Sequence, residues 1–371
     1  MFKSAFISAP DWRGAAEGLA DTLGEPNGAN FGLIYTTEPM GGELDNIVSH
    51  LKGATGVENW AGSVGLGICA ASPGQPGEEY FDEPAVAVMT AELPADSFSL
   101  FTSSDQRAPR NQDDDPYGMA GLPFVLAHAD SANPDILGLV DKMANVTDGF
   151  VVGGLTASRT AKHHIAGTLT GGGISGVIFG PEVGVMTSLS QGCMPIGDTH
   201  TVTEAMDNFI IELDDRPALE VLKEDLGEEL AANLRNLGGY IHAAFPISGS
   251  DTGDFVVRNL IGVDEERGIV AIGMPTEAGD KVMFVCRDED AAKADLTQIV
   301  EALIKRAGGQ AKAALYISCI ARGPHMFGAQ NAETALLQDI IGDIPLIGMY
   351  ANGEISNSRL YSYTGILTLF L

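Results

Sequence analysis

The 371-residue chain reads as an α/β (α+β) protein of two domains, in which repeated β-α-β-β units form mixed sheets packed together with helices on the outside. Three observations predict this. Short apolar, β-rich runs alternate with stretches of helical periodicity. The order strand, helix, strand, strand occurs three times. In each occurrence the second strand carries an internal glycine near its carboxyl end.

The first unit comprises the strand FGLIYTT (31–37), a helix over 42–52 and the strands VGLGICA (64–70) and PAVAVMTAEL (84–93). Its helix is marked by Leu44, Ile47, Val48 and Leu51, spaced i, i+3, i+4, i+7 on one face. The second unit runs LPFVLAH (122–128), DILGLVDKM (135–143), FVVGGLTA (150–157) and ISGVIFG (174–180). The third runs AALYISCI (313–320), NAETALLQDII (331–341), PLIGMYANGE (345–354) and LYSYTGILTLFL (360–371). A strand over 2–8 and a helix over 11–23, capped by Asp11 and ended by Gly24, precede the first unit. Residues 217–235 read as one or two helices, 241–286 as mainly β, and 289–307 as an amphipathic helix. A polar, aspartate-rich loop fills 102–118. Each unit has more strands than helices, so one face of each sheet must find cover elsewhere, and a second sheet is the natural partner. A boundary near 195–215 divides the chain into domains 1–200 and 201–371.

Composition narrows the function. A formal net charge of -29, with only 21 Lys and Arg, disfavours nucleic acid and anionic membranes. The start, MFKSAFISAPDW, lacks the apolar core of a secretory signal, and no apolar run approaches a membrane span of roughly 18 residues. The four cysteines, Cys69, Cys193, Cys286 and Cys319, include no C-x-x-C pair. A cytoplasmic chain with reduced thiols, no metal and no cofactor is expected.

The densest chemistry lies at two strand ends of the third unit, Cys319-Ile-Ala-Arg322-Gly323 and Asn352-Gly353-Glu354. Ligands of α/β proteins gather at strand carboxyl ends. Arg322 suits a ligand carboxylate and Glu354 an ammonium; the alternative is that the two form a structural ion pair under a turn. Gly153 and Gly154 end a strand of the second unit, offering either backbone N–H groups or a bulge. Cys319 as a nucleophile requires a lowered thiol pKa and a nearby base, with His325 and His128 as the histidines in view. Cys193 with His200 fits no hydrolase signature, and His163-His164 lacks a third metal ligand in sequence reach.

The runs SCIARGPHMFG (318–328), PLIGMYANGEI (345–355) and YSYTGILTLF (361–370) resemble the C-terminal domain of FIST proteins, with its C-x-x-R-G, G-x-x-x-x-G-E-I and T-x-x-L-x-L-F patterns. Residues 203–230, with DRPALEVL inside them, resemble that domain's lead-in. The runs from Ser63 to Pro73 and from Glu83 to Pro94 resemble the FIST N-terminal domain. Cys319, Arg322, Gly323, Gly348, Gly353 and Glu354 fall on the motif, while Ser356 stands where many relatives have Gly or Pro. The resemblance implies a stand-alone, non-enzymatic sensory protein of intracellular signal transduction that binds a small molecule, an amino acid or related zwitterion. Cys319, Arg322, Gly323, Asn352, Gly353, Glu354, Gly153 and Gly154 are its expected ligand residues. A signalling protein partner is also expected, and in the interaction-module reading it docks through an exposed sheet face or the 102–118 loop. A thiol enzyme using Cys319, or an interaction module without a ligand, are the other readings.

Overall fold

The structure is a computed structural model that describes all residues except 26–27, 104–122, 161–162, 233, 235–237 and 248–252. The stretch 104–118 of the aspartate-rich loop therefore lies outside the described residues. Contacts divide the chain into two compact units. Gly192–Ala292 forms one, and it interrupts the other, made of Met1–Gln191 and Lys293–Leu371. Among the described residues no helix is long and apolar enough to cross a membrane.

The chain begins with β1 (Phe2–Ser8), α1 (Trp12–Leu23), β2 (Phe31–Thr37), α2 (Leu44–Thr55), β3 (Asn59–Gly65), β4 (Gly67–Ala71), β5 (Glu78–Phe81) and β6 (Ala85–Ala91). Asp11 caps α1 by accepting a hydrogen bond from the Gly14 N–H. The pattern returns as β7 (Phe98–Thr102), β8 (Phe124–Ala129), α3 (Ile136–Thr147), β9 (Phe150–Leu155), β10 (His164–Ala166), β11 (Thr168–Thr170) and β12 (Ile174–Phe179). A third copy opens with β13 (Val185–Gln191).

The second compact unit follows. It holds β14 (Cys193–Pro195), β15 (His200–Met206), β16 (Phe209–Leu213), β17 (Arg216–Pro217), α4 (Ala218–Ala231), β18 (Ile241–Pro246), β19 (Phe255–Asp264), β20 (Ile269–Ile272) and β21 (Lys281–Arg287). Strands β15, β16, β20, β19, β18 and β21 close an antiparallel ring. α4 adds Leu219, Leu222 and Leu226 to the ring's core. Closure removes the exposed strand edges that a small open sheet would carry.

α5 (Glu289–Ala307) leads back to the third copy: β22 (Ala313–Cys319), the short turn α6 (Pro324–Phe327), α7 (Ala332–Ile341), β23 (Leu346–Ala351), β24 (Glu354–Ser356), β25 (Arg359–Tyr361) and β26 (Thr364–Phe370).

The larger unit thus has three sheets with one strand plan. Their orders are β1-β6-β2-β3-β10-β11, β7-β12-β8-β9-β24-β25 and β13-β26-β22-β23-β4-β5. In every sheet the two strands flanking the crossover helix are parallel and the rest are antiparallel. The last two strands of every sheet are borrowed. After β3 the chain gives its hairpin β4–β5 to the third sheet, after β9 it gives β10–β11 to the first, and after β23 it gives β24–β25 to the second. The β-α-β-β order read from the sequence is correct, but in the first unit the strand read over 64–70 straddles the end of β3 and the hairpin strand β4, and the reading omits the hairpins of the other two units.

One register position is glycine in all three of the strands that receive a hairpin. Gly62, Gly153 and Gly348 occupy the same register place on β3, β9 and β23, opposite Ile34, Ala127 and Tyr316. A Cβ there would lie 1.8, 1.8 and 1.9 Å from the carbonyl oxygens of those three partners.

The three sheets turn one face to a common core. Leu33 and Tyr35 meet Leu126, Val152 and Val177 of the second sheet, and Leu315, Ile317 and Met349 of the third. Helices cover outer faces: α1 and α2 pack on Ile34, Trp60, Val86 and Val88, and α3 on Val125 and Val151. At the amino ends of the parallel strands the core is plugged by aromatics from all three sheets, with Phe179 centred 5.4 Å from Phe31 and 5.8 Å from Phe370.

Gly153→Ala and Gly348→Ala should each lower the free energy of unfolding by more than about 2 kcal/mol, because backbone cannot move aside as a flexible side chain can. Urea melts would show it; a loss below about 0.5 kcal/mol, the scatter of surface substitutions, would mean the exchanged edges relax freely.

Candidate functional site

The carboxyl ends of the parallel strands are polar where the amino ends are aromatic. The registers define one core layer residue by residue. In the first sheet Tyr35, Ser63 and His164 stand side by side. In the second, Ser175, His128, Gly154 and Glu354 do. In the third, the same places hold Ile366, Ile317, Met349 and Ile68. Six polar side chains therefore face each other and an apolar wall.

All six are buried. Tyr35 Oη and His128 Nε2 share a hydrogen bond of 2.9 Å between sheets, and His164 Nδ1 and Ser175 Oγ share one of 2.6 Å. Glu354 Oε2 accepts hydrogen bonds from the Thr364 N–H (3.2 Å) and hydroxyl (2.8 Å). Four other atoms of the layer have no hydrogen-bond partner of ordinary geometry among the described residues: Ser63 Oγ, His128 Nδ1, His164 Nε2 and Glu354 Oε1. The Cys319 thiol beside Glu354 is at most a weak donor.

Burial sets the charge state. It raises the Glu354 carboxyl to about 8, against the opposing hydrogen bonds from Thr364. It lowers His128 to about 3, helped by His164, and lowers His164 to about 4 against the pull of Asp130. Near neutral pH the layer is polar but largely uncharged.

Arg322 belongs to a different cluster. Its guanidinium is wholly buried, and Nε donates to Glu333 Oε1 at 2.8 Å. The Tyr316 hydroxyl (2.6 Å) and the Ser318 hydroxyl (3.1 Å) donate to the same oxygen, and the Gly323 N–H donates to Oε2 (2.8 Å). Ser190 Oγ and the Tyr363 carbonyl take other Arg322 donors, and the Phe327 ring lies 5.1 Å from its Cζ. The ion pair is therefore with Glu333, in the first turn of α7, and not with Glu354. Nothing in the motif reading singled out Glu333. Its signal was an acid in the first turn of a helix, eleven residues after Arg322.

A second buried carboxylate, Glu79, joins the exchanged hairpin to that helix. It accepts from the Thr334 N–H and hydroxyl and from the Asn331 N–H, so a side chain from the first repeat caps α7 of the third.

Two family models divide the chain: the FIST N domain matches residues 30–216 and the FIST C domain residues 218–357. The chain belongs to the FIST family. FIST domains form a sensory family of signal transduction. Similar proteins include an uncharacterised protein of Mycobacterium tuberculosis, 30% identical over 98% of each chain. An uncharacterised protein of Mycobacterium bovis is 32% identical over 79% of each chain.

The expected ligand residues fall into two groups. Gly153 and Gly154 lie directly across β9–β24 from Ile355 and Glu354. Asn352 and Gly353 adjoin them, with the Leu155 N–H donating to the Gly353 carbonyl at 2.9 Å, and Asn352 is exposed. Cys319 reaches this group from the third sheet. Arg322 and Gly323 are tied to Glu333 instead. Gly154 is a site of close packing: a Cβ there would lie within 2.9 Å of Ala351, Ile317 and Met349. As to thiol chemistry, burial and the nearby Glu354 carboxyl push the Cys319 thiol well up. His325 is exposed and His128 is bonded to Tyr35. His200 does not serve Cys193; it is held between Asp214 and Asp225 at 2.7 and 3.0 Å.

Arg322→Met should cost about 3–5 kcal/mol, since it strands a buried carboxylate. The double variant Arg322→Met/Glu333→Leu should cost clearly less than the two single losses added, as measured in a urea double-mutant cycle; strict additivity would show that the pair does not act as one.

Glu354 also carries a pH signature. Its carboxyl keeps a proton in the folded chain that the unfolded chain releases above its ordinary 4.5. Its contribution is thus present in full below that value and lost as pH climbs through about 8. Between these limits the wild type should lose roughly 2–4 kcal/mol more than Glu354→Gln. Parallel slopes of stability against pH would contradict the assignment.

Proposed function

We propose that this FIST protein is a non-enzymatic small-molecule sensor of intracellular signal transduction whose ligand is an amino acid or a related small zwitterion. The observation that carries the reading is the set of atoms in one buried layer that have no hydrogen-bond partner of ordinary geometry among the described residues: Ser63 Oγ, His128 Nδ1, His164 Nε2 and Glu354 Oε1. A buried polar atom left without a partner costs about 1–3 kcal/mol, and four in one layer of a single core call for a polar occupant. Glu354 suits the ligand's ammonium. Ser63 and the two imidazoles, with N–H groups available, suit its carboxylate. Gly153, Gly154, Asn352 and Gly353 shape the backbone beside Glu354, and Cys319 lines it. Arg322 and Gly323 act as frame, fixing the strand end through Glu333. The high thiol pKa of Cys319 supports a binding role over a nucleophilic one. Cytoplasmic location and a signalling partner belong to the same reading.

An arriving ammonium favours the ionised carboxylate, so binding expels the Glu354 proton. Thermal-shift measurements across amino acids and small organic acids at millimolar concentration should find stabilising ligands, with about 2.7 kcal/mol gained at a hundredfold excess over Kd. Their affinity should rise with pH up to about 8 and fall in Glu354→Gln. A library without any stabilising compound, or one that Glu354→Gln binds unchanged, would rule this reading out.

A further inference from the structure

The Gly192–Ala292 unit contains a cavity unrelated to the polar layer. Leu222 and Leu226 of α4, Ile241 of β18 and Leu260 and Val263 of β19 line a hollow of about 610 Å³. Sites for drug-sized molecules span about 300–1,000 Å³. Two irregularities shape it. β19 bulges, because Leu260 faces Ile272 and Gly262 faces Ala271, leaving Ile261 as the extra residue. Ile261 is 64% exposed, although it lines the hollow. α4 breaks at Gly227, whose φ of 71° and ψ of 169° leave the helical region just after Leu226.

Among the described lining residues the charged ones are all acids, and Arg267 beside them offsets Asp264 from 3.9 Å, which leaves Glu265 and Glu266 as the wall's unpaired charges. Asp264, Glu265 and Glu266, in the turn after β19, line the cavity, and none of its described lining residues is Lys, Arg or His. Asp264 Oδ1 accepts the Glu266 and Arg267 N–H groups, which fixes the turn. Glu265 and Glu266 are exposed. An apolar hollow rimmed by carboxylates attracts a molecule with an apolar body and a positive head, and repels fatty anions of the same size.

We infer that this cavity is a second ligand site, for amphiphilic organic amines, with the apolar body against Leu226 and Leu260 and the protonated nitrogen beside Glu265 and Glu266. Long-chain anions and zwitterionic amino acids are not its ligands.

The test is isothermal titration of the full chain with dodecylammonium and dodecanoate, each below its micelle concentration, and with dodecanol below its solubility limit. Dodecylammonium should bind one per chain and about tenfold tighter than dodecanoate, a gap that narrows with added salt. Leu226→Trp, which fills the hollow, should remove binding of all three. Ile261→Arg changes an exposed residue, so folding should persist by circular dichroism while dodecylammonium binding weakens about tenfold. Glu354→Gln should leave this binding untouched, which separates the site from the polar layer. Absence of binding, many amines bound per chain, equal affinity for amine and carboxylate, or an Ile261→Arg protein that binds as before would each overturn the assignment.

Discussion

No repeat of the larger unit can finish its own sheet. The outer edges of β3, β9 and β23 are each closed by a hairpin from another repeat, in a cycle that returns to its start. An open edge would expose a row of unpaired N–H and C=O groups. The cycle covers all three edges at once, so the repeats are committed to one another before any is complete. The glycines at positions 62, 153 and 348 lie on the strands that receive the hairpins, where a Cβ would meet the carbonyl of the parallel neighbour and, at Gly348, also the Cys69 sulfur of the borrowed hairpin. The tertiary cap of α7 by Glu79 follows from the exchange: the borrowed hairpin arrives with the acid that finishes its host's helix.

The same exchange builds the polar layer. His164 lies on the hairpin that the second repeat gives to the first sheet, and Glu354 on the one that the third gives to the second. Each takes the corresponding register place beside Ser63 or Gly154, facing the core. The third such place holds Ile68, which makes the remaining wall apolar. Three equivalent positions thus carry an imidazole, a carboxyl and an alkyl group. The asymmetry gives the layer its chemistry, because burial shifts acid and base in opposite directions and both become neutral.

The two buried carboxyls of the third repeat show how environment assigns roles. Glu333 has an arginine, two hydroxyls and a backbone N–H, so it is satisfied and structural. Glu354 has two hydrogen bonds to one oxygen and, among the described residues, none of ordinary geometry to the other. A satisfied buried ion pair fixes the conformation of its surroundings, whereas an unsatisfied carboxyl retains free energy that a ligand can release.

The sequence by itself determined the local elements. Apolar spacing located α2 at Leu44, Ile47, Val48 and Leu51, Asp11 and Gly24 bounded α1, and short apolar β-rich runs identified strands, because periodicity and capping act over a few residues. It also determined the family through motifs around Cys319, Arg322 and Glu354, and the sheet-on-sheet packing through the excess of strands over helices. Only the tertiary structure decided partners. β10 and β24 are three residues long, too short to announce themselves, β4 reads as one run with the end of β3, and all three pair with strands of other repeats. Register then placed Gly153 and Gly154 beside Glu354, sent Arg322 to Glu333, and gathered Ser63, His128 and His164 from distant segments into one layer. Those positions depend on hydrogen-bonded strand order across the whole chain, which no local pattern of side chains encodes.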